Sequence, residues 1–182
     1  MSGLLPTSEL RKPTKFAHIV LRSKHFEETI AWYEAVLGTT VVHRNPMLCF
    51  VTYDDEHHRL AFVNVGNAED PAPGAVGADH IAYSYGSMGD LLQNYKRLRE
   101  RGILPHVTIN HGPTTSLYYR DPDGMGVELQ VDNFATEKEL KGWMQSGAFE
   151  KNPIGVRFDA DKLLERYENG DPIEELTQQG SA

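Results

Sequence analysis

The 182-residue chain is poor in several features that define common classes of protein. Its single cysteine, Cys49, excludes an internal disulfide and any zinc site built from cysteines, and it fits a reducing compartment. Lys and Arg number 18 against 26 Asp and Glu, and the net charge of −8 argues against nucleic acid as a partner. No apolar run is long enough to span a bilayer, and the opening residues M-S-G-L-L-P-T do not resemble a signal peptide. We therefore expect a cytoplasmic protein without a membrane partner.

What the chain contains instead is one plan of secondary structure that occurs twice. The stretch K-F-A-H-I-V-L-R, an apolar strand holding His18, precedes a segment with helical spacing of apolar residues, which Gly38 ends. Three strand-like runs follow. The second copy has the strand A-D-H-I-A-Y-S-Y with His80, a helical segment that ends at Gly102, and three more strands. The plan is βαβββ in both copies, and the strands that end the second copy are expected around 104–110, 114–120 and 125–132.

We predict one domain over residues 1–182, because this length suits a single core. The two modules cover about 14–66 and 78–132. The segment 68–77 between them is rich in Pro and Gly and lacks periodicity, which is typical of a linker. Residues 133–182 form a C-terminal extension outside the repeated plan.

The extension is predicted to be helical. T-E-K-E-L-K-G-W-M is typical of a short helix that Thr136 caps, with Glu139 in the position of a capping box. D-A-D-K-L-L-E-R-Y-E-N-G predicts a second helix from near Asp159 to Gly170. The last six residues, T-Q-Q-G-S-A, are expected to be frayed.

His18 and His80 hold equivalent positions in the two modules. A repeat related by a pseudo-twofold axis brings equivalent strands together, so the two histidines are expected to face each other across that axis. A lone histidine on an apolar strand is usually a core or rim residue that a backbone group satisfies. The matched positions of this pair favour a shared role instead.

The stretch from Ile109 to Glu128 reads I-N-H-G-P-T-T-S-L-Y-Y-R-D-P-D-G-M-G-V-E. Its D-P-D-G segment is turn chemistry, because Pro fixes φ and Gly accepts the left-handed conformation. Tyr118 and Glu128 are therefore expected on adjacent antiparallel strands. A carboxylate inside an apolar strand is costly to bury unless a cation or hydrogen bonds compensate for it. Glu128 thus needs a partner, unless it faces solvent on a half-exposed strand.

The order Ile-x-His, a short spacer, Leu-Tyr-x-x-Asp-Pro-x-Gly and then Glu resembles the signature of the type I extradiol ring-cleavage dioxygenases, within the vicinal oxygen chelate superfamily. In that family the closing glutamate is an iron ligand, and the histidine and tyrosine contact the substrate. The resemblance implies these roles for Glu128, His111 and Tyr118. We accordingly expect an α+β fold in which paired βαβββ modules form an open, barrel-like sheet around a metal, followed by a C-terminal helical tail.

The predicted metal ligands are His18, His80 and Glu128. Two imidazoles and one carboxylate on one face suit non-haem Fe(II) and leave positions open for small molecules, and Mn(II) fits the same ligands. The strand R-L-A-F-V-N-V of the first module carries no acid. Glyoxalase I enzymes, relatives with the same fold, place a second carboxylate ligand about there. Its absence favours the site with two histidines and one glutamate.

His57 and His58 precede the strand R-L-A-F-V. In the dioxygenases a histidine before a similar strand is the acid–base group on the dioxygen side. The resemblance implies this role for His58, with His57 as the other candidate, whereas a plain surface pair beside D-D-E is the alternative. His25, His43 and His106 belong to no motif and are interpreted as surface or structural residues.

The resemblance implies an enzyme that cleaves a catechol-like aromatic diol with O2. Short catalytic units of this kind often pair, so a homo-oligomer is an expected state. One alternative is another metal-dependent enzyme of the superfamily, such as an isomerase, epimerase or thiol transferase, and His58, His111 and Tyr118 together argue against it. The other alternative is a metal-free binding module of the same fold, against which the intact ligand set argues.

Overall fold

The computed structural model of the chain describes residues 11–72 and 74–182. The opening segment M-S-G-L-L-P-T, on which the absence of a signal peptide was argued, lies outside these residues. Within the described ranges, no helix combines the length and apolar character that crossing a membrane requires.

Each module folds as a strand, a helix and three further strands. The first module contains β1 (Ile19–Ser23), α1 (Phe26–Leu37), β2 (Thr40–Arg44), β3 (Leu48–Thr52) and β4 (Leu60–Asn64). The second contains β5 (His80–Tyr85), α2 (Met88–Glu100), β6 (Val107–Asn110), β7 (Thr114–Arg120) and β8 (Gly126–Asp132). The extension contributes α3 (Glu137–Gln145), α4 (Ala148–Lys151), β9 (Val156–Arg157), α5 (Ala160–Glu168) and α6 (Ile173–Leu176).

The first module forms a four-stranded sheet of order β1-β4-β3-β2, with β1 and β4 parallel. Helix α1 buries Ile30, Tyr33 and Val36 against this sheet, as the helical spacing of its apolar residues predicts. Gly38 ends the helix in the left-handed conformation at φ 67°. Strand β1 lies at one edge of the sheet, and the residue before it is His18.

The second module forms a sheet of order β5-β8-β7-β6-β9. Its fifth strand, β9, comes from the extension and pairs with Ile109 and Asn110 of β6. The sequence predicted a helical extension and did not predict this strand. A strand of two residues has too few positions to show alternation, so the pattern of the chain could not indicate it.

The predicted fold class is confirmed, since two βαβββ modules with open sheets are followed by a largely helical extension. The two sheets are separate, and within one chain the described strands do not close into a single barrel. Helices α1 and α2 contact each other and link the two modules. Asn94 of α2 donates a hydrogen bond to the Val36 carbonyl of α1 at 3.2 Å, and Arg97 donates to the Ala35 carbonyl at 2.6 Å.

The extension packs firmly on the second module. Thr136 and Glu139 form the predicted capping box, and Asp159 caps α5 as expected. The expectation of a frayed end is wrong. Leu176 is buried, and the Gln179 side chain donates to the Asn110 carbonyl of β6 at 3.0 Å. These tertiary contacts hold the C-terminal residues in place, although their composition alone suggests fraying.

Candidate active site

Strands β7 and β8 place Tyr118 directly opposite Glu128, as the D-P-D-G turn predicts. The parallel neighbour β5 brings His80 opposite Gly126. A side chain at Gly126 would lie 2.4 Å from the Asp79 carbonyl oxygen and 2.9 Å from the His80 Cβ. Glycine is therefore required there, because it lets β8 approach β5 closely enough for Glu128 to reach the His80 ring.

Four predicted site residues meet on the open face of the second sheet. His80 Nε2 lies 3.0 Å from Glu128 Oε2, the Tyr118 hydroxyl donates to Glu128 Oε1 at 2.9 Å, and His111 Nε2 lies 2.8 Å from the Tyr118 oxygen. We call His80, His111, Tyr118 and Glu128 the carboxylate cluster. Glu128 is only 5% exposed, so His80 and Tyr118 are the partners that a buried strand carboxylate needs.

The hydrogen-bond direction within the carboxylate cluster follows from the Tyr118 hydroxyl. Burial, and then the negative charge of Glu128, raise the pKa of Tyr118 well above its ordinary value, so the hydroxyl keeps its proton and donates it to Glu128. Because Tyr118 has only one proton to donate, His111 Nε2 must be the donor to the Tyr118 oxygen. The cluster therefore presents a fixed row of donors that ends at a carboxylate.

The other predicted histidines lie on the first module. The His58 ring stacks on Phe50 with centroids 4.3 Å apart and planes 7° apart, and the centroids of the His18 and His58 rings are also 4.3 Å apart. His57 Nδ1 is 2.6 Å from His58 Nδ1. We call His18, His57 and His58 the histidine cluster. Burial, and then the charges of His18 and His57, lower the pKa of His58, so its ring is neutral at neutral pH.

The structure separates the two candidates for the acid–base role by their exposure. The His57 side chain is 67% exposed, whereas His58 is 9% exposed and packs against the rings of Phe50 and His18. A buried, stacked ring has a defined orientation, which a group that transfers a proton at a defined atom requires.

Within one chain, His18 does not join His80 and Glu128. Among residues 11–72 and 74–182, no three His, Cys, Asp or Glu side chains lie close enough together to hold one metal ion. A single protomer therefore does not fit a three-ligand metal site. It brings together two of the three predicted ligands and leaves the third with His58 on the other sheet.

The register of the two sheets shows which residue of the first module occupies the position that Glu128 has in the second. Ala82 of β5 pairs with Glu128 of β8, and Val20 of β1 pairs with Ala61 of β4. Ala61 therefore stands in the first sheet where Glu128 stands in the second. The first module offers histidines and no carboxylate at this position, as the strand R-L-A-F-V-N-V predicts.

One residue near the site was missed by the sequence argument. The Asp79 carboxylate lies 2.7 Å from His80 Nδ1, which directs His80 Nε2 towards Glu128. A carboxylate that orients a histidine in this way is typical beside metal-ligating histidines. The sequence signal that could have indicated this role is that Asp79 directly precedes His80 in the chain. His25, His43 and His106 lie outside both clusters, and His25 is paired at 3.7 Å with Glu28.

Comparisons with known proteins identify the family of the chain. A family model described as the Glyoxalase/Bleomycin resistance protein/Dioxygenase superfamily matches residues 15–129. The chain is 46% identical over 164 residues to biphenyl-2,3-diol 1,2-dioxygenase 2 of Rhodococcus globerulus, which covers 90% of this chain and 86% of that protein. It is 44% identical over 165 residues to biphenyl-2,3-diol 1,2-dioxygenase 3 of the same organism, covering 90% and 87%. The crystal structure of lactoylglutathione lyase from Agrobacterium tumefaciens is similar in fold, with a TM-score of 0.53 at 22% identity over 66% of this chain and 96% of that one.

The chain belongs to the glyoxalase/bleomycin resistance/dioxygenase superfamily. Within that superfamily it is an extradiol dioxygenase, an oxidoreductase of a metal-dependent family. The predictions of family, fold class and reaction class are confirmed. The prediction of six site residues stays a prediction.

Proposed function

We propose that this chain cleaves a catechol-like aromatic diol with O2, and that His18, His80 and Glu128 are the ligands of Fe(II). Mn(II) is the other ion that suits two imidazoles and one carboxylate. The two relatives are named for biphenyl-2,3-diol, a catechol that carries a second aromatic ring, and this diol is the first substrate that we expect.

The observation that carries the proposal is the row His111–Tyr118–Glu128. Tyr118 donates to one oxygen of Glu128, while the other oxygen faces His80 Nε2. A diol oxygen that binds beside Glu128 and His80 would therefore lie within reach of the Tyr118 hydroxyl and the His111 ring. In the described row the Tyr118 proton is donated to Glu128. Once Glu128 holds a metal, this proton is free for a diol oxygen, and a positioned donor of this kind stabilises a developing phenolate and holds the diol in one orientation.

We assign the transfer of a proton on the dioxygen side to His58. The ring is buried, its stacking on Phe50 fixes its plane, and its neutral form can accept a proton. His57, which is largely exposed, has the Nδ1 contact to His58 and no comparable packing. The sequence alone offers both His58 and His57 for this role, and these contacts favour His58.

The test begins with anaerobic purification and metal analysis of the wild-type protein and of His80→Ala and Glu128→Ala. We expect about one iron per chain in the wild type and a loss of at least tenfold in each variant, because each removes a ligand. Circular dichroism should show unchanged secondary structure. His25→Ala, which removes a half-buried histidine side chain outside both clusters, is the control and should keep its metal.

The reaction is tested by O2 uptake with catechol and with biphenyl-2,3-diol, and by absorbance scans for a yellow ring-cleavage product. Iron retained equally by wild type and Glu128→Ala would contradict the ligand assignment. A metal-loaded protein that consumes no O2 with any diol would contradict the proposed chemistry.

A further inference from the structure

The loop between β6 and β7 carries His111 into the carboxylate cluster. We call residues 110–114 the His111 loop. The His111 backbone amide donates a hydrogen bond to the Thr114 carbonyl at 2.9 Å, which closes the loop. At the other end of the residue, the His111 ring lies 2.8 Å from the Tyr118 oxygen. The conformation of the His111 loop therefore determines whether the row of donors is intact.

Asn110 joins the His111 loop to the C-terminal extension. Its Oδ1 accepts hydrogen bonds from the Gly112 amide at 2.9 Å and from the Asn133 side chain at 3.2 Å. Its Nδ2 donates to the Thr177 carbonyl at 2.8 Å, and the Gln179 side chain donates to its backbone carbonyl at 3.0 Å. Only an amide side chain offers an acceptor to the loop and a donor to the extension at once. Asn110 is 3% exposed, so water cannot replace these partners without cost.

The extension also contacts the backbone of the His111 loop directly. Strand β9 pairs with Asn110, and Gly155, which precedes this strand, packs on the residue that follows. A side chain at Gly155 would lie 2.7 Å from the His111 Cα, so only glycine fits this approach. The Asn152 side chain holds Gly155 by accepting from its amide at 3.0 Å and donating to its carbonyl at 2.9 Å. The His111 backbone thus lies against a fixed turn of the extension.

These contacts are not what attaches the extension to the second module. Helix α5 buries Leu163 and Leu164 in the core, and Tyr95 of α2 donates to Asp161 at 2.7 Å. These anchors lie on α2 and α5, whereas the Asn110 side chain bonds to the His111 loop itself. Loss of the Asn110 amide should therefore alter the His111 loop and leave α5 docked.

We propose that Asn110 is a positioning residue for the reaction, through which the C-terminal extension holds His111 at the distance from Tyr118 that the substrate side requires. Asn110 touches neither the diol nor any proposed metal ligand, and it acts only through His111. A displacement of about 1 Å in a catalytic group can cost about 100-fold in rate, so bonds at one remove from the chemistry can control it. This inference rests on the proposed role of His111 and adds that the extension takes part in the reaction.

A double-mutant cycle between Asn110→Ala and His111→Ala tests the inference. We expect Asn110→Ala to lower kcat/KM about 10- to 100-fold at unchanged iron content. In a protein that already carries His111→Ala, the same change should lower kcat/KM by less than about threefold, because the group it positions is gone. A merely structural residue would cause the same loss in both backgrounds. Equal losses would overturn the inference.

Two further variants separate positioning from a general loosening of the extension. Tyr95→Phe removes a bond between α2 and α5 and should leave kcat/KM within about twofold of wild type. Gln179→Ala changes an exposed side chain, so it should fold, and should lower kcat/KM about 2- to 10-fold by removing one bond to Asn110. If Asn110→Ala does not fold, the cycle with His111→Ala is carried out with Gln179→Ala. A Tyr95→Phe protein as impaired as the Asn110 or Gln179 variant would contradict the proposal.

Hydrogen–deuterium exchange of peptides that cover the His111 loop gives a readout without turnover. Asn110→Ala removes the acceptor of the buried Gly112 amide, so exchange in this loop should become at least about tenfold faster, while peptides of α5 should remain protected. Unchanged exchange in the loop would overturn the inference.

The outcomes also distinguish this inference from the proposed function. Faster exchange in the His111 loop with wild-type kcat/KM would overturn the role of Asn110 and leave diol cleavage intact. A metal-loaded wild type that cleaves no diol would contradict the proposed function, and with it the reaction that Asn110 is proposed to serve.

Discussion

The Thr29 hydroxyl of the first module donates a hydrogen bond to Asp123 Oδ2 of the second module at 2.8 Å. Thr29 lies in the first turn of α1, and the side chain of the N-cap residue, His25, does not cap this helix with a hydrogen bond. Asp123 therefore supplies from the other module the negative charge that the start of α1 favours. The D-P-D-G turn both reverses the chain and joins the two modules.

Asp123→Asn should destabilise the protein by about 1–3 kcal/mol at neutral pH, because it weakens several hydrogen bonds to a partly buried carboxylate. Burial acts to raise the Asp123 pKa, but the hydrogen bonds from Ser23, Thr29 and the two backbone amides outweigh it, and the net pKa is lowered. A lowered pKa in the folded state means that this stability is present above the unfolded pKa, near about 3.9, and is lost as pH falls through the folded value.

Urea unfolding of wild type and variant at several pH values measures this effect. The difference in unfolding free energy should be largest from about pH 5 upwards and shrink as pH falls below about 4, where the carboxyl of the unfolded chain is protonated while that of the folded protein is still ionised. Asp55→Asn, an exposed residue on the turn between β3 and β4, is the control and should show little difference. A difference that grows on acidification would contradict the assigned role of Asp123.

His58→Phe should keep its iron and still bind the diol, because neither a proposed ligand nor the substrate-side pair has changed. Turnover should fall by about 10²–10⁴-fold, the usual effect of losing one positioned acid–base group. His57→Ala, which removes the exposed neighbour, should change turnover by less than about tenfold. The measurement is steady-state O2 uptake at known iron content. Equal losses of turnover in the two variants would contradict the assignment of the proton-transfer role to His58 rather than His57.

Tyr118→Phe removes the hydroxyl that joins His111 to Glu128. Hydrogen bonds to charged groups contribute about 1.5–3 kcal/mol, so kcat/KM should fall about 10- to 100-fold with iron content unchanged. Tyr119→Phe is the matched control, since the buried Tyr119 hydroxyl has no hydrogen-bond partner among the described residues. Removing that hydroxyl should leave activity unchanged and stability unchanged or higher. A Tyr119→Phe protein as impaired as Tyr118→Phe would indicate a packing effect.

Gly112→Ala should destabilise the protein and disturb the region beside His111. A methyl group at Gly112 would lie 2.2 Å from the Trp143 ring of the extension, and the backbone there has a φ of 95° that only glycine adopts readily. We expect a loss of about 1–3 kcal/mol in unfolding free energy and a change in Trp fluorescence. Gly142→Ala, inside α3 with free space around it, should instead stabilise by up to about 1 kcal/mol. Thermal unfolding of both variants provides the comparison.

Local patterns in the sequence predicted most of the fold. Several correctly predicted features depend on residues that lie close together in the chain. They are helices α1 and α2, the end of α1 at Gly38, the Thr136 cap and the pairing of Tyr118 with Glu128. The relative placement of the modules depends instead on contacts such as Thr29 with Asp123, which lie far apart and follow no periodicity. For that reason the sequence predicted that Tyr118 lies opposite Glu128 but could not show that His18 lies beside His58 in a single protomer.

Ala61 in the register position of Glu128 has an electrostatic consequence for the proposed site. Two imidazole ligands and one carboxylate would leave a bound divalent cation with a net positive charge. That charge would favour an anionic ligand, and a catechol that has lost one proton is such a ligand. A second carboxylate at Ala61 would cancel that attraction, so one alanine in the first sheet biases the proposed site towards binding its substrate as a monoanion.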